Sequence, residues 1–176
     1  MNLSTGRTRL VVSISDGSGF TSALYLRDRF APSALADIPP LDPPVPAPHI
    51  EGAGAPAHWD QWWETISSAQ SGAVVAPPSG SPLAELFERY GDDMFRWIGS
   101  HEADDAIGSY RPEWLPPLLG SGFASGMHST EVIPVRGTWW RPLSPRRLVV
   151  STAAFADSEL MDRLLREQVS ALLSAE

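Results

Sequence analysis

The stretch VRGTWWRPLSPRR, residues 135 to 147, is where this chain collects side chains able to grip a partner. From Val132 to Ala156 there are four arginines, Arg136, Arg141, Arg146 and Arg147, and no acid, in a protein whose formal net charge is -8. Trp139 and Trp140 are adjacent. In a strand neighbouring residues point to opposite faces, so both indoles cannot enter one core and one of them should meet solvent. An exposed Trp beside guanidinium groups is the composition of protein-interface hot spots, and also of stacking sites for bases or aromatic ligands. Arg136, Trp139, Trp140, Arg141, Arg146 and Arg147 therefore form the candidate partner-binding set. Alternatively the arginines pair with the acidic segments Glu85 to Asp93 or Glu102 to Asp105, and the spare indole packs under a proline-rich segment.

Other groupings hold reactive side chains without the spacing of a motif. LVVSISDGSGF, residues 10 to 20, puts a glycine-rich turn after a strand, as a phosphate-cradling loop does. No second phosphate motif follows, there is no lysine to reach a phosphate, and GSGF recurs in LGSGFASG at 119 to 126, so an ordinary turn is expected. His101, Glu102, Asp104 and Asp105, with His128 and Glu131 further on, are ligand types for a divalent ion. Neither zincin spacing nor the alternating acids of a calcium loop is present, and no metal or cofactor is expected. Ser129 follows His128, but there is no G-x-S-x-G elbow. A catalytic site assembled in space would use the loops at 16 to 19 and 120 to 126, with His101 or His128 as base.

The whole-chain composition narrows these options. With 176 residues the chain fits one ordinary domain, which buries about 70% of its unfolded surface. The acidic balance disfavours a surface that tracks nucleic acid or anionic lipid, leaving only a local basic patch for such contacts. The absence of cysteine excludes disulfides, thiolate zinc sites and cysteine nucleophiles. All thirteen basic residues are arginine, which excludes Schiff-base chemistry and, with the abundant Ala, Gly and Pro, reads as GC-rich bacterial coding. The N-terminus has no signal-peptide pattern and no apolar run is long enough to span a membrane, so the expected location is the cytoplasm.

Hydrophobic patterning supplies the elements that must position these residues. RTRLVVSIS alternates as a strand, with Leu10, Val12 and Ile14 on one side. Asp16 to Gly19 then reads as a hairpin turn into a strand at 20 to 26, with a helix over 21 to 30 as the competing assignment. Residues 32 to 57 carry eight prolines and should be extended or irregular. In HWDQWWETI, Trp59, Trp62, Trp63 and Ile66 occupy i, i+3, i+4 and i+7, one face of a helix. Left in water the three indoles would make a patch of roughly 600 Å², the upper end for a monomer, so burial is expected. Ser81 and Pro82 open a second helix with an apolar face through Ile98, and Asp157 caps a third whose leucine stripe should lie across the sheet.

The expected fold is α+β: a small, mainly antiparallel sheet of strands at 8 to 15, 20 to 26, 131 to 140 and 147 to 152. About three helices, at 58 to 70, 82 to 98 and 158 to 173, cover one face. A single domain spans 1 to 176, with the segment 32 to 57 extended or flexible. The expected role is non-catalytic protein binding, as an adaptor, an inhibitor or immunity-type protein, or an assembly subunit. A small hydrolase or transferase is the alternative, and nucleotide or single-stranded nucleic-acid binding through Trp139, Trp140 and the arginines is the third.

Overall fold

The computed structural model describes residues 10–46, 56–101 and 126–174. In chain order they form β1 (Leu10–Ser15), α1 (Ser18–Phe30), α2 (Pro56–Ser68), α3 (Pro82–Gly99), β2 (Gly126–Ile133), β3 (Trp140–Ser144), β4 (Arg147–Ser151), α4 (Thr152–Ala156) and α5 (Ser158–Ser174). The class is α+β, with five helices and one four-stranded sheet among the described residues. The strand order is β1-β2-β4-β3. β1 with β2 and β2 with β4 are parallel, and only β3 with β4 is antiparallel. The sheet is thus mostly parallel, which corrects the expectation of a mainly antiparallel one.

The reason lies at the DGSG turn, which opens a helix and not a hairpin. Residues 20 to 26 belong to α1, and every residue from Gly19 to Arg27 is buried. A helix buried on all sides has no polar stripe, so its period cannot be read from the sequence. β1 consequently finds its partner beyond α3, and so long a crossover permits a parallel pairing. The turn demands glycine for close approach. Gly17 has φ +45°, and a β-carbon there would sit 2.8 Å from Ile133 Cγ2. One on Gly19 would run into the Ala73 carbonyl oxygen, because the loop between α2 and α3 lies on the first turn of α1. Glycine here serves packing.

Helices cover both faces of the sheet, where one was expected. On one face Ile133 and Val149 pack with α1, α2 and α3. On the other, Ile14, Val132, Leu148 and Val150 meet Phe155, Leu160, Met161, Leu164 and Leu165 of α4 and α5. Parallel strands buried on both faces read as continuous apolar runs, as RLVVS does. The aromatic face of α2 is fully engaged: Trp59, Trp62, Trp63 and Ile66 are each 6% exposed or less. Trp62 Nε1 donates to the Val75 carbonyl at 2.8 Å, and Trp63 lies 4.6 Å from the Phe20 ring. α3 is capped by Ser81 Oγ, which accepts from the Ala84 N–H at 3.2 Å, and runs unbroken through Gly91. Asp157 Oδ1 caps α5 by accepting from the Leu160 N–H at 3.0 Å.

The segment expected as one strand at 131 to 140 divides. β2 starts earlier, at Gly126, and ends before Pro134, while Arg141 to Ser144, left between the two expected strands, are in β3. The chain leaves β2, passes the place of β4, runs back along the edge as β3 and turns at Pro145 and Arg146 into the vacant position. Residues 32–46 of the proline-rich segment form a strap packed on the body, with Ala34, Ile38, Leu41 and Val45 buried. Arg27 holds it from beneath, donating to the carbonyls of Ile38 and Pro39 at 2.8 Å each. Burial lowers the Arg27 pKa from its ordinary value, and the adjacent Asp28 opposes that shift.

Replacing Gly19 with Ala forces the α2–α3 loop off the first turn of α1 and should cost about 1–3 kcal/mol. Gly91→Ala meets only Phe95 Cε2 at 4.0 Å in the middle of α3, and should stabilise by about 0.5–1 kcal/mol. Urea unfolding of both variants checks the pair; a harmless Gly19→Ala would remove the close approach as the reason for glycine there.

Candidate functional site

The six residues singled out by composition divide between interior and surface. Arg147, at the start of β4, turns inward and is 8% exposed. Its Nε donates to Glu131 Oε1 at 2.6 Å, and its Nη2 lies 2.5 Å from the same oxygen. Its Nη1 donates to the carbonyls of Ile66, Ser67 and Ala69 at 3.0, 2.5 and 2.6 Å, where α2 ends. Those last carbonyls carry the negative end of the helix dipole, so a cation is favoured there, and the Ile66 carbonyl also accepts from the Ala69 N–H at 3.1 Å. Phe20 lies beneath, with the guanidinium carbon 5.3 Å from its ring centre. Glu131 is 1% exposed and also accepts from the Gly72 N–H at 3.4 Å. Arg147 is therefore an internal clamp, with no donor turned toward a partner.

Trp139 and Trp140 point to opposite faces, as strand geometry requires. Trp139 is half-buried against the core formed by α1, α2 and α3, and its Nε1 donates to the Asp37 carbonyl of the strap at 3.2 Å. Arg141 shares that face: it forms an ion pair with the Asp37 carboxylate, and its guanidinium carbon lies 5.4 Å from the Trp139 ring centre. Partial burial lowers the Arg141 pKa from its ordinary value. Trp139, the core-facing indole, is the one that meets the proline-rich segment, and Arg141 and Arg147 pair with Asp37 and Glu131, outside the acidic segment at 85 to 93. Asp37 had no sequence signal, since it lies 102 positions from Trp139. Arg136 is exposed, and its backbone N–H donates to the Pro40 carbonyl at 2.9 Å. Arg146 is exposed in the turn between β3 and β4.

Trp140 takes the other face and is 41% exposed. It borders a cleft of about 430 Å³ that Thr138 shares with Asp157, Glu159, Leu160 and Arg163 at the start of α5. β3 is the sheet edge on this side. The Ser151 N–H donates to the Trp139 carbonyl at 2.8 Å, which sets the alternation of the ladder and turns position 142 outward. Pro142 has no N–H to offer there, so the edge is blunted against strand addition. The site thus presents an indole, charges of both signs, and little free backbone.

The residues considered for catalysis are spread apart. His101 caps the end of α3: its Nδ1 lies 2.7 Å from the Trp97 carbonyl and 2.9 Å from Ser100 Oγ, and its ring stacks on Trp97. His128 is fully buried in β2, with Nε2 3.4 Å from Thr130 Oγ1. Burial lowers its pKa, and the Pro145 backbone carbonyl opposes the shift. Asp16 accepts from Ser18 Oγ at 2.6 Å at the start of α1, and Ser15 Oγ lies 3.1 Å from Ser71 Oγ. Glu102, Asp104, Asp105 and the glycine-rich loop of residues 120 to 125 lie outside the described residues. No group of three His, Asp or Glu among the described residues is placed to hold a metal ion, and no helix there is long and apolar enough to cross a membrane. No family model, curated protein or solved structure matches this chain.

Two expectations follow from the buried charges. Arg147→Met strands Glu131 without its cation and should cost about 3–5 kcal/mol, while adding Glu131→Leu should recover part of that loss in a double-mutant cycle. A single variant within about 1 kcal/mol of the parent would show the clamp to be dispensable. For His128 the folded pKa lies below the unfolded one, so as pH falls the unfolded chain takes up the proton first and stability drops. Between about pH 7.5 and about pH 5 the parent should lose more stability than His128→Gln, and equal losses would exclude His128 as the cause.

Proposed function

We propose that this chain is a non-catalytic protein-binding molecule of the cytoplasm, folded as a single domain, that engages another protein through β3 and its flanks. An adaptor, an inhibitor or immunity-type protein, and a subunit of a larger assembly all fit that role. The observation that carries the proposal is Trp140, held 41% exposed on an edge strand beside a cleft of about 430 Å³. The free-energy gain from covering what remains of this indole is about 2 kcal/mol. Tryptophan and arginine in such settings anchor protein interfaces, and Arg141, Arg146 and Arg136 flank Trp140 along the chain.

The chemistry around the indole favours a protein over a nucleic acid. Asp157 and Glu159 share the cleft and would repel a phosphate backbone. With Pro142 guarding the edge, the partner docks by side chains into the cleft and not by extending the sheet.

Native co-purification from the source cell tests this directly. Trp140→Ala should keep the parent circular dichroism and unfolding midpoint while weakening the partner roughly thirtyfold, as hot-spot truncations of about 2 kcal/mol do. Undiminished recovery with this variant would end the proposal.

A further inference from the structure

A second cleft, on the strap, is separate from the Trp140 face. It encloses about 420 Å³, and its wall includes Pro32, Ala36, Pro40, Leu41, Val45 and Arg136. The strap's polar backbone groups near it are already committed to the body. Arg27 takes the Ile38 and Pro39 carbonyls, Asp28 Oδ2 accepts from the Leu41 N–H at 2.7 Å, and the Asp42 N–H donates to the Pro134 carbonyl at 2.8 Å. What faces the cleft is chiefly proline ring and aliphatic side chain, in a shape prepared before any ligand arrives. Arg27 and Asp28 also line it, but the Arg27 donors are spent on those carbonyls, on Leu35 and on Asp28, and the two charges cancel in their ion pair.

Arg136 is different. Arg136 lines the same cleft, is exposed, and has no carboxylate within ion-pair distance among the described residues. Among the described residues the cleft therefore offers apolar walls and one cation without a counter-ion, in a chain that is otherwise strongly acidic. We infer that it binds a small apolar monocarboxylate, the carboxylate paired with Arg136 and the apolar body against the prolines. One guanidinium matches a single carboxylate in a two-pronged pair. A dianion such as phosphate would have half its charge unmatched against an apolar wall. The volume falls in the lower part of the range for small-molecule sites, about 300–1,000 Å³.

Calorimetric titration of the full chain with phenylacetate, hexanoate, phenylacetamide and inorganic phosphate tests the inference. The acids should bind saturably, with phenylacetamide about tenfold weaker or worse, because a hydrogen-bonded charge pair is lost. Arg136→Gln should bring the acids down to the amide's affinity, Ala36→Phe should block every probe by filling the cleft, and Trp140→Ala should change nothing. The last variant separates this site from the protein-binding face, so either can fail alone. Equal affinity for acid and amide, phosphate binding as tight as phenylacetate, binding that survives Arg136→Gln or Ala36→Phe, binding lost in Trp140→Ala, or no saturable binding of either acid would each overturn it.

Discussion

The buried pair of Arg147 and Glu131 joins three parts of the molecule, the strands β2 and β4 and the end of α2. One guanidinium ties β4 to β2 and both strands to the end of α2, while Glu131 reaches the loop that follows that helix. An ion pair taken out of water is not stabilising in itself, because desolvation offsets most of the attraction. Its value here comes from the additional acceptors. At the end of α2 the Ile66 carbonyl already accepts from the Ala69 N–H, and a planar cation with several N–H groups adds a donor to it and to the Ser67 and Ala69 carbonyls while opposing the helix dipole. The aromatic face of α2 is thereby held at a defined height over the sheet. The same placement sets the α2–α3 loop against Gly19 and leaves α1 enclosed on every side.

Arg27 repeats the solution at the opposite end of α1. Beneath the strap it bonds the carbonyls of a segment whose prolines forbid regular ladders, with Asp28 as its counter-ion and as acceptor for Leu41. A chain without lysine is suited to this, because the guanidinium fork addresses several acceptors at fixed angles where an ammonium acts as a point charge. Both buried arginines thus bond several backbone carbonyls at once. The strap acquires a fixed shape from this, and with it come the cleft beside Arg136 and the acid that meets Arg141.

β3 shows how one edge strand separates two environments. Its inner side, through Trp139 and Arg141, is closed by Asp37 of the strap, whereas its outer side leaves Trp140 facing the start of α5. Surface ion pairs such as Arg141 with Asp37 contribute little, roughly 0–1 kcal/mol. Their consequence is geometric: they hold the loop before β3 so that the strand's alternation delivers one indole to each side. Pro142 then limits how the exposed edge can be approached.

Periodic and local features were legible in the sequence. The i, i+3, i+4, i+7 indoles of α2, the Ser81 and Asp157 caps, and the leucine face of α5 each depend on residues within a turn or two of one another, and so does the division of Trp139 from Trp140. Tertiary structure alone decided that residues 20 to 26 are helix, since enclosure on all sides erases the polar stripe that would reveal it. It alone decided that the sheet is mostly parallel, because strand direction follows from which distant segment fills each place. The fate of the arginines was equally hidden. Arg146 and Arg147 are neighbours of one type, yet one lies in an exposed turn and the other is buried under a helix end, and what separates them is Glu131 and three carbonyls brought from 16 to 81 positions away.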